Sequence, residues 1–160
     1  MFSFPNPVNE YAARLVAAGV VVLSVVTVTT HQHWLLVPLA YGFLARVLTG
    51  PRLSPLGLVV TRVVVPRLAL APRFVPGPPK RFAQFMGLTF SATAAVLALG
   101  LHLERAADAV LLALIAAASL EAFAGFCLGC RVFAIGMRVG LIPASICEAC
   151  DNIQARLQPS

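Results

Sequence analysis

The chain has 160 residues, of which 59% are hydrophobic and 11% are charged, and its formal net charge is +6. Soluble domains carry about 25% charged residues, so this chain lacks the polar surface of a water-soluble globular protein. Its mean hydropathy of +0.89 predicts an all-α integral membrane protein, because backbone groups inside lipid must be hydrogen-bonded within their own segment. The length predicts a single transmembrane helical domain over residues 1–160.

The first two predicted helices form a hairpin. Apolar runs of about 20 residues are long enough to cross the hydrocarbon layer, and the first such run extends from about Ala12 to Thr30. The second extends from about Trp34 to Leu48, with Trp34 placed to anchor it at the interface. Only a few residues around His31 separate the two runs, so we expect the helices to be antiparallel neighbours.

A basic, proline-rich loop over residues 51–79 follows the second helix. Ser54 and Pro55 have the pattern of a helix N-cap followed by proline at the first helical position. We therefore expect a short interfacial helix that ends at Pro66; a proline-rich linker without regular structure is the alternative. Basic side chains of this region are predicted to contact phospholipid headgroups: Arg62, Arg67, Lys80 and Arg81.

The third helix is predicted from about Phe82 to Leu101, and the fourth begins near Ala107. The sequence thus predicts a bundle of about four transmembrane helices. From Ala107 to Val139 the chain is almost continuously apolar, which as one helix would be roughly 50 Å long. Since the hydrocarbon layer is about 30 Å thick, we expect the fourth helix to reach its inner edge near Cys127. Residues 132–142 would then bend along the interface or re-enter the membrane. The bend could occur at Gly136, Gly140 or Pro143.

The basic residues predict the orientation. Six Lys or Arg residues lie in the loop between helices two and three, whereas Arg105 on the opposite side is flanked by Glu104 and Asp108. The positive-inside rule places that loop in the cytoplasm, and with it both termini and all the cysteines. The positive net charge is accounted for by this topology, and no nucleic-acid partner is expected.

Glu121 is the only acid within a predicted span. An intramembrane carboxylate indicates a functional site by default, although a protonated or Ser/Thr-bonded structural glutamate is the alternative. Glu121, Gly125 and Gly129 recur every fourth residue, a spacing that permits close helix contact. At helical spacing Cys127 and Cys130 lie about 120° from Glu121. Proton transfer between the carboxylate and these thiols is therefore disfavoured, unless the glycines distort the helix.

All four cysteines lie in the last quarter of the chain, within a double CxxC segment over residues 127–150. They form two pairs: Cys127 with Cys130, and Cys147 with Cys150. One interpretation is a thiol-disulfide oxidoreductase in which one pair is reduced by a soluble dithiol partner and passes electrons to the other. We expect the first pair to be the more reactive, because Arg131 favours the Cys130 thiolate, whereas acidic residues flank the second pair.

Two alternatives use the same four cysteines. The C-x2-C-x16-C-x2-C spacing falls in the range of four-thiolate zinc sites, and thiolates also suit Cu(I) or an iron–sulfur cluster. The protein would then be a metal-binding membrane protein or a transporter accessory. Alternatively, the cysteines are inert and the chain is a structural membrane subunit. Structural disulfides are rare on the cytoplasmic side.

Three histidines form a separate candidate group. His31, His33 and His102 map to the predicted outer face, near Glu104 and Asp108. Histidine with carboxylate is a ligand set that metals use. Polar residues at helix ends also serve as interfacial caps and anchors. A metal site and a purely structural role are therefore the two alternatives for these histidines.

Four segments resemble an uncharacterised bacterial membrane family that is classed as a domain of unknown function. They are 51–57 (PRLSPLG), 75–84 (VPGPPKRFAQ), 121–130 (EAFAGFCLGC) and 147–150 (CEAC). Members of that family are often encoded beside thioredoxin-like or sulfurtransferase proteins. The resemblance implies sulfur or thiol chemistry, a soluble thioredoxin-like or sulfurtransferase partner, and a location in the bacterial inner membrane. It assigns no activity and no catalytic residue. A homo-oligomer is a further alternative.

Overall fold

The computed structural model describes residues 8–69, 74–75 and 77–141. Cys147, Cys150 and Pro143 lie outside the described residues. Helix α1 (Glu10–Thr30) starts at Asn9, whose side chain accepts a hydrogen bond from the Tyr11 backbone N–H at 3.1 Å. Because a capping oxygen satisfies one of the free N–H groups of a first turn, this contact fixes where α1 begins.

The predicted hairpin of the first two helices is confirmed. Helix α1 ends at His31, whose backbone is left-handed with φ of 54°. A 3₁₀ turn over His33–Leu35 then leads into α2 (Leu36–Thr49). The short turn makes α1 and α2 consecutive neighbours that contact each other.

A helix, α3, lies between α2 and the third long helix, as predicted. The alternative, a proline-rich linker without regular structure, is therefore wrong. The N-cap of α3 is Ser54, whose Oγ accepts from the Gly57 N–H at 3.2 Å. It comprises Pro55–Val59, a π-helical stretch over Val60–Val64 and a last turn over Val65–Leu68. The prediction that Pro66 ends this helix is wrong. Proline removes one N–H donor, and the widened π-helical turns before it allow the chain to continue to Leu68.

Helices α4 and α5 complete the bundle. Helix α4 covers Gly77–Gly100 and α5 covers Glu104–Ala124, and the last turns of both are π-helical. Helix α4 packs against α2 and α5, and α5 packs against α1. Small buried side chains allow these helices to approach closely; they include Ser91, Ala94, Ala98, Ala107 and Ala118.

The predicted all-α membrane fold is confirmed. Three of the described helices, α1, α4 and α5, are long and apolar enough to cross a membrane, whereas the apolar helical segment His33–Thr49 is shorter. The predicted count of about four is therefore approximate. One short pairing was not predicted: β1 (Val8–Asn9) and β2 (Phe74–Val75) form a two-residue antiparallel ladder. This ladder ties the start of α1 to the segment that precedes α4.

The fourth predicted helix ends earlier than expected. Helix α5 stops at Gly125, which has a φ of +68°, and a separate helix α6 (Leu128–Arg138) follows. The prediction of one continuous helix to the inner edge near Cys127 is wrong, because the left-handed Gly125 ends α5. Of the positions where a later bend was expected, Gly136 lies inside α6. The chain does turn again at Gly140, whose φ is +82°.

Arg14 of α1 explains why α5 can end there. Its guanidinium donates to the carbonyl oxygens of Ala122 at 3.2 Å and Phe123 at 3.1 Å. The last carbonyls of a helix have no partner within the helix, and a charged donor from a neighbouring helix satisfies them here. The break therefore depends on a tertiary contact as well as on Gly125.

Candidate functional site

A buried ion pair joins α4 to α5. The Nζ of Lys80, in the first turn of α4, lies 2.6 Å from Oε1 of Glu121, in the last turn of α5, and their side chains are 8% and 13% exposed. The prediction that Lys80 contacts phospholipid headgroups is wrong, because a buried ammonium group requires a partner of opposite charge. Glu121 is that partner, in place of the Ser or Thr expected from the sequence.

The first CxxC pair lies at the amino end of α6. Cys127 is the N-cap of this helix, and its Sγ accepts a hydrogen bond from the Cys130 backbone N–H at 3.2 Å. The N–H groups and the dipole of a helix amino terminus favour a negative charge at this position. Both cysteines are free thiols, with Cys127 buried and Cys130 partly exposed. The arrangement therefore stabilises a thiolate on Cys127.

The surroundings give the two thiols opposite properties. The hydrogen bond from the Cys130 thiol lowers the pKa of Cys127, and the Lys80 ammonium lowers it further, while burial and the Glu121 carboxylate oppose them. The same hydrogen bond, together with burial, raises the pKa of Cys130. These surroundings thus favour a thiolate on Cys127 over one on Cys130.

This result corrects the expectation that Arg131 favours a thiolate on Cys130. The guanidinium carbon of Arg131 lies 4.9 Å from the centre of the Phe126 ring, over its face. A cation–π contact of this kind directs the charge towards the aromatic ring. The positive charge that acts on both thiols is instead that of Lys80, which is distant in sequence.

A cavity of about 280 Å³ lies beside Cys127. Its walls come from α1, α2, α4, α5 and the start of α6 and are mostly apolar; Gln84, Glu121 and Cys127 supply polar groups. The separation of about 120° expected between Glu121 and the thiols was conditional on an undistorted helix, and the structure has the exception, a break at a glycine. The break at Gly125 brings Glu121 and Cys127 to the same cavity.

Gly129 allows α6 to approach α4. A Cβ atom on this residue would lie 2.5 Å from both Cα and Cβ of Ala83. The prediction that Gly129 shares one helix face with Glu121 and Gly125 is wrong, because the three residues belong to different segments. Gly129 nevertheless has the role predicted for a small residue, because it allows two helices to come into close contact.

Arg46 is a functional candidate that the sequence interpretation missed. It is 5% exposed, and it donates from Nε to Gln84 Oε1 at 2.8 Å and from Nη1 to Ser54 Oγ at 3.1 Å. Its guanidinium also lies over the Phe43 ring, 4.6 Å from the centre. A cation inside the predicted second span was the available signal. Arg46 thus joins α2 to α4 and to the N-cap of α3.

The remaining predicted residues are placed elsewhere. Arg62 and Arg67 are exposed on α3, and their contact with phospholipid stays a prediction. Arg81 is exposed and donates to the Val47 carbonyl at 3.0 Å. Because Cys147 and Cys150 lie outside the described residues, neither the exchange between the two pairs nor a four-cysteine metal site is tested.

The histidines lie at the other end of the bundle. His31 and His33 come together with Asp108 of α5, whereas His102 does not join this group within the described part of the chain. The group is thus formed by the turn between α1 and α2 and by the second turn of α5.

The fold and the site define a helical membrane bundle with a CxxC pair at a helix amino terminus, beside a buried ion pair. The chain belongs to the family described as a domain of unknown function, DUF4395, which it matches over residues 8–138. No curated protein and no solved structure matches the chain.

Proposed function

We propose that the protein is a membrane thiol-disulfide exchange protein in which Cys127 is the nucleophile and Cys130 the second thiol. The observation that carries this proposal is the position of Cys127 Sγ, which accepts the Cys130 N–H at the amino end of α6. The lowered pKa of Cys127 and the raised pKa of Cys130 give the two sulfurs the different roles that an exchange reaction needs. A thiolate is the attacking species in such a reaction.

The reaction has two steps. In the first, the Cys127 thiolate attacks one sulfur of a partner's disulfide; a mixed disulfide forms and the partner's other sulfur leaves as a thiolate. In the second, the Cys130 sulfur attacks Cys127 of the mixed disulfide, and its proton goes to the departing sulfur of the partner. The partner's disulfide is reduced by two electrons, and the Cys127–Cys130 pair is oxidised to a disulfide.

Lys80 and Glu121 tune the first step. The Lys80 ammonium lowers the pKa of Cys127 and the Glu121 carboxylate raises it. The two charges of the ion pair therefore have opposing effects on how readily this thiol ionises. Since both charged groups are buried, their effect on the neighbouring sulfur is screened less than it would be in water. Neither group is required to form or break a bond with the substrate.

The second pair is the proposed electron-exchange partner within the chain. In this scheme a soluble thioredoxin-like or sulfurtransferase protein acts on one pair, and Cys147 and Cys150 exchange electrons with the other. The positive-inside rule supports a cytoplasmic location for both pairs and for both termini, in a plasma membrane.

The proposal is tested with an aromatic disulfide, dithiobis(nitrobenzoic acid), which releases a coloured thiolate when a cysteine attacks it. The full-length protein is purified in detergent with Cys147→Ser and Cys150→Ser in every sample. The remaining pair is expected to release two equivalents of coloured thiolate and to end as an internal disulfide without bound label. With Cys130→Ser, one equivalent is released and the label stays on Cys127.

Cys127→Ser is the matched control. Its remaining thiol, Cys130, is expected to react at least about tenfold more slowly, as a thiol with a raised pKa does. Two labels retained on the intact pair, or equal rates in the two single variants, would contradict the exchange mechanism. Stoichiometric zinc that protects all four thiols of the unmodified protein would favour the four-cysteine metal site instead.

A further inference from the structure

We propose that His31, His33 and Asp108 form a binding site for a divalent transition-metal ion such as Zn²⁺. His31 follows the last residue of α1, His33 opens the 3₁₀ turn before α2, and Asp108 lies in the second turn of α5. This is the opposite end of the bundle from Cys127. The site is therefore separate from the thiol chemistry.

The distances are close to those of a metal site. Asp108 Oδ1 lies 3.1 Å from Nε2 of His33, and Asp108 Oδ2 lies 3.9 Å from Nδ1 of His31. One ligand atom from each of the three residues lies within 4.8 Å of the others. In a tetrahedral zinc site with bonds of about 2.0–2.2 Å, neighbouring ligand atoms are about 3.3 Å apart. The three side chains thus need only a small inward movement to share an ion.

The exposure of the three side chains fits that requirement. His33 is 6% exposed and Asp108 is 20% exposed, so the protein holds these two ligands in place, whereas His31 is 68% exposed. An exposed imidazole can turn towards an ion without disturbing the packing. The arrangement provides two largely buried ligands and one exposed ligand that has room to turn towards an ion.

Glu104 supplies an outer contact. Its Oε1 lies 4.0 Å from Nδ1 of His33, on the side of the ring away from Asp108. Histidine ligands commonly direct their second nitrogen towards a carboxylate, which fixes the ring orientation and tautomer. At 4.0 Å, Glu104 would need to move closer to His33 to take this role when an ion is bound.

The backbone at His31 brings the two histidines to the same turn. Its φ of 54° is uncommon for a residue other than glycine. This conformation turns the chain so that the rings of His31 and His33 lie with centroids 6.2 Å apart, next to an aspartate 75 positions after His33.

The donor set selects the kind of ion. Two imidazole nitrogens and one carboxylate oxygen suit Zn²⁺, which takes three protein ligands and one open position in many sites, whereas Mg²⁺ and Ca²⁺ prefer oxygen ligands throughout. A bound ion would join the α1–α2 turn to α5. Because only the folded protein holds the three ligands together, binding should raise the unfolding temperature.

The experiment uses the full-length protein in detergent with all four cysteines replaced by serine, so that thiols cannot contribute. Zn²⁺ is titrated by calorimetry and by thermal unfolding, with Mg²⁺ in parallel. One equivalent of Zn²⁺ is expected to bind and to raise the unfolding temperature, and Mg²⁺ is expected to have no effect. Asp108→Asn and His31→Ala should each weaken zinc binding at least tenfold.

His102→Ala is the matched control, because this histidine lies at the same end of the bundle outside the group. It should bind Zn²⁺ as tightly as the parent protein. His31→Ala keeps the test valid if Asp108→Asn fails to fold, because the exposed His31 side chain contributes little packing. No zinc binding, or equal binding by His31→Ala, would overturn the proposal.

Discussion

The ammonium of Lys80 and the carboxylate of Glu121 lie 2.6 Å apart and join the first turn of α4 to the last turn of α5. Charged groups in such a position are expensive to bury, and the pair is tolerated because each compensates the other. The pair also acts on Cys127, whose pKa is lowered by Lys80 and raised by Glu121. One contact thus connects the packing of the bundle with the chemistry of the thiol.

Removing one member of this pair should destabilise the protein. Glu121→Gln leaves the buried Lys80 ammonium without a partner, and we expect a loss of about 3 kcal/mol in the free energy of unfolding. The measurement is chemical unfolding in detergent, followed by circular dichroism. The double variant Lys80→Met, Glu121→Leu should recover most of the loss. Unchanged stability in Glu121→Gln would mean that the ion pair is not formed in the protein.

The same pair predicts opposite changes in the reactivity of Cys127. Alkylation proceeds through the thiolate, so its rate rises with pH through the pKa of the thiol. Lys80→Met should move this profile to higher pH, by about 1 pH unit or less, and Glu121→Gln should move it to lower pH. The rates are measured with Cys147 and Cys150 replaced by serine. Movement of both variants in the same direction would show that general loosening, and not charge, controls the thiol.

Ser54 should contribute to stability through two contacts. Its Oγ accepts from the Gly57 N–H at the start of α3 and from the buried Arg46 guanidinium. Ser54→Ala removes both acceptors, and we expect a loss of about 2 kcal/mol in the free energy of unfolding. Thr29→Ala is the control, because that exposed hydroxyl bonds only within its own helix. Equal effects of the two substitutions would contradict the assigned role of Ser54.

Gly129 should tolerate no larger side chain. Its Cβ position is occupied by Ala83 of α4, so Gly129→Ala should push α6 away and cost about 2 kcal/mol. Gly100→Ala is the matched control, since its nearest neighbour to an added Cβ is 4.0 Å away, and it should have little effect. Thermal unfolding measures both, and faster alkylation of Cys127 in Gly129→Ala should accompany the displacement of α6.

Much of the fold could be predicted because hydrophobic runs and caps are local signals. The spans near α1, α2 and α4 follow from apolar length, and the helix start at Ser54 follows from the Ser-Pro pattern. The end of α5 could not be predicted in this way. Gly125 lies within a continuous apolar run, and Arg14, which satisfies the exposed carbonyls, lies in another helix.

The candidate site, too, could be predicted only where the signal is local. The CxxC spacing identified Cys127 and Cys130, but their pKa values differ because of the hydrogen bond between the two thiols, their burial and the charges of Glu121 and Lys80. The local sequence reveals neither the burial nor these two charged neighbours. Flanking charge pointed to Arg131, which instead contacts Phe126. Burial of a charged side chain is decided by its tertiary partner, and sequence adjacency does not supply that partner.

The central claim is that Cys127 is the reactive thiol of the pair, and the most direct test is the alkylation rate at each cysteine as a function of pH. The purified protein is pulse-labelled with iodoacetamide, and fragmentation mass spectrometry assigns the label to Cys127 or Cys130. Cys127 should be labelled first, with half-maximal rate below the pKa of about 8.5 of an ordinary thiol. Labelling of Cys130 first, or a Cys127 profile at or above that value, would contradict the account.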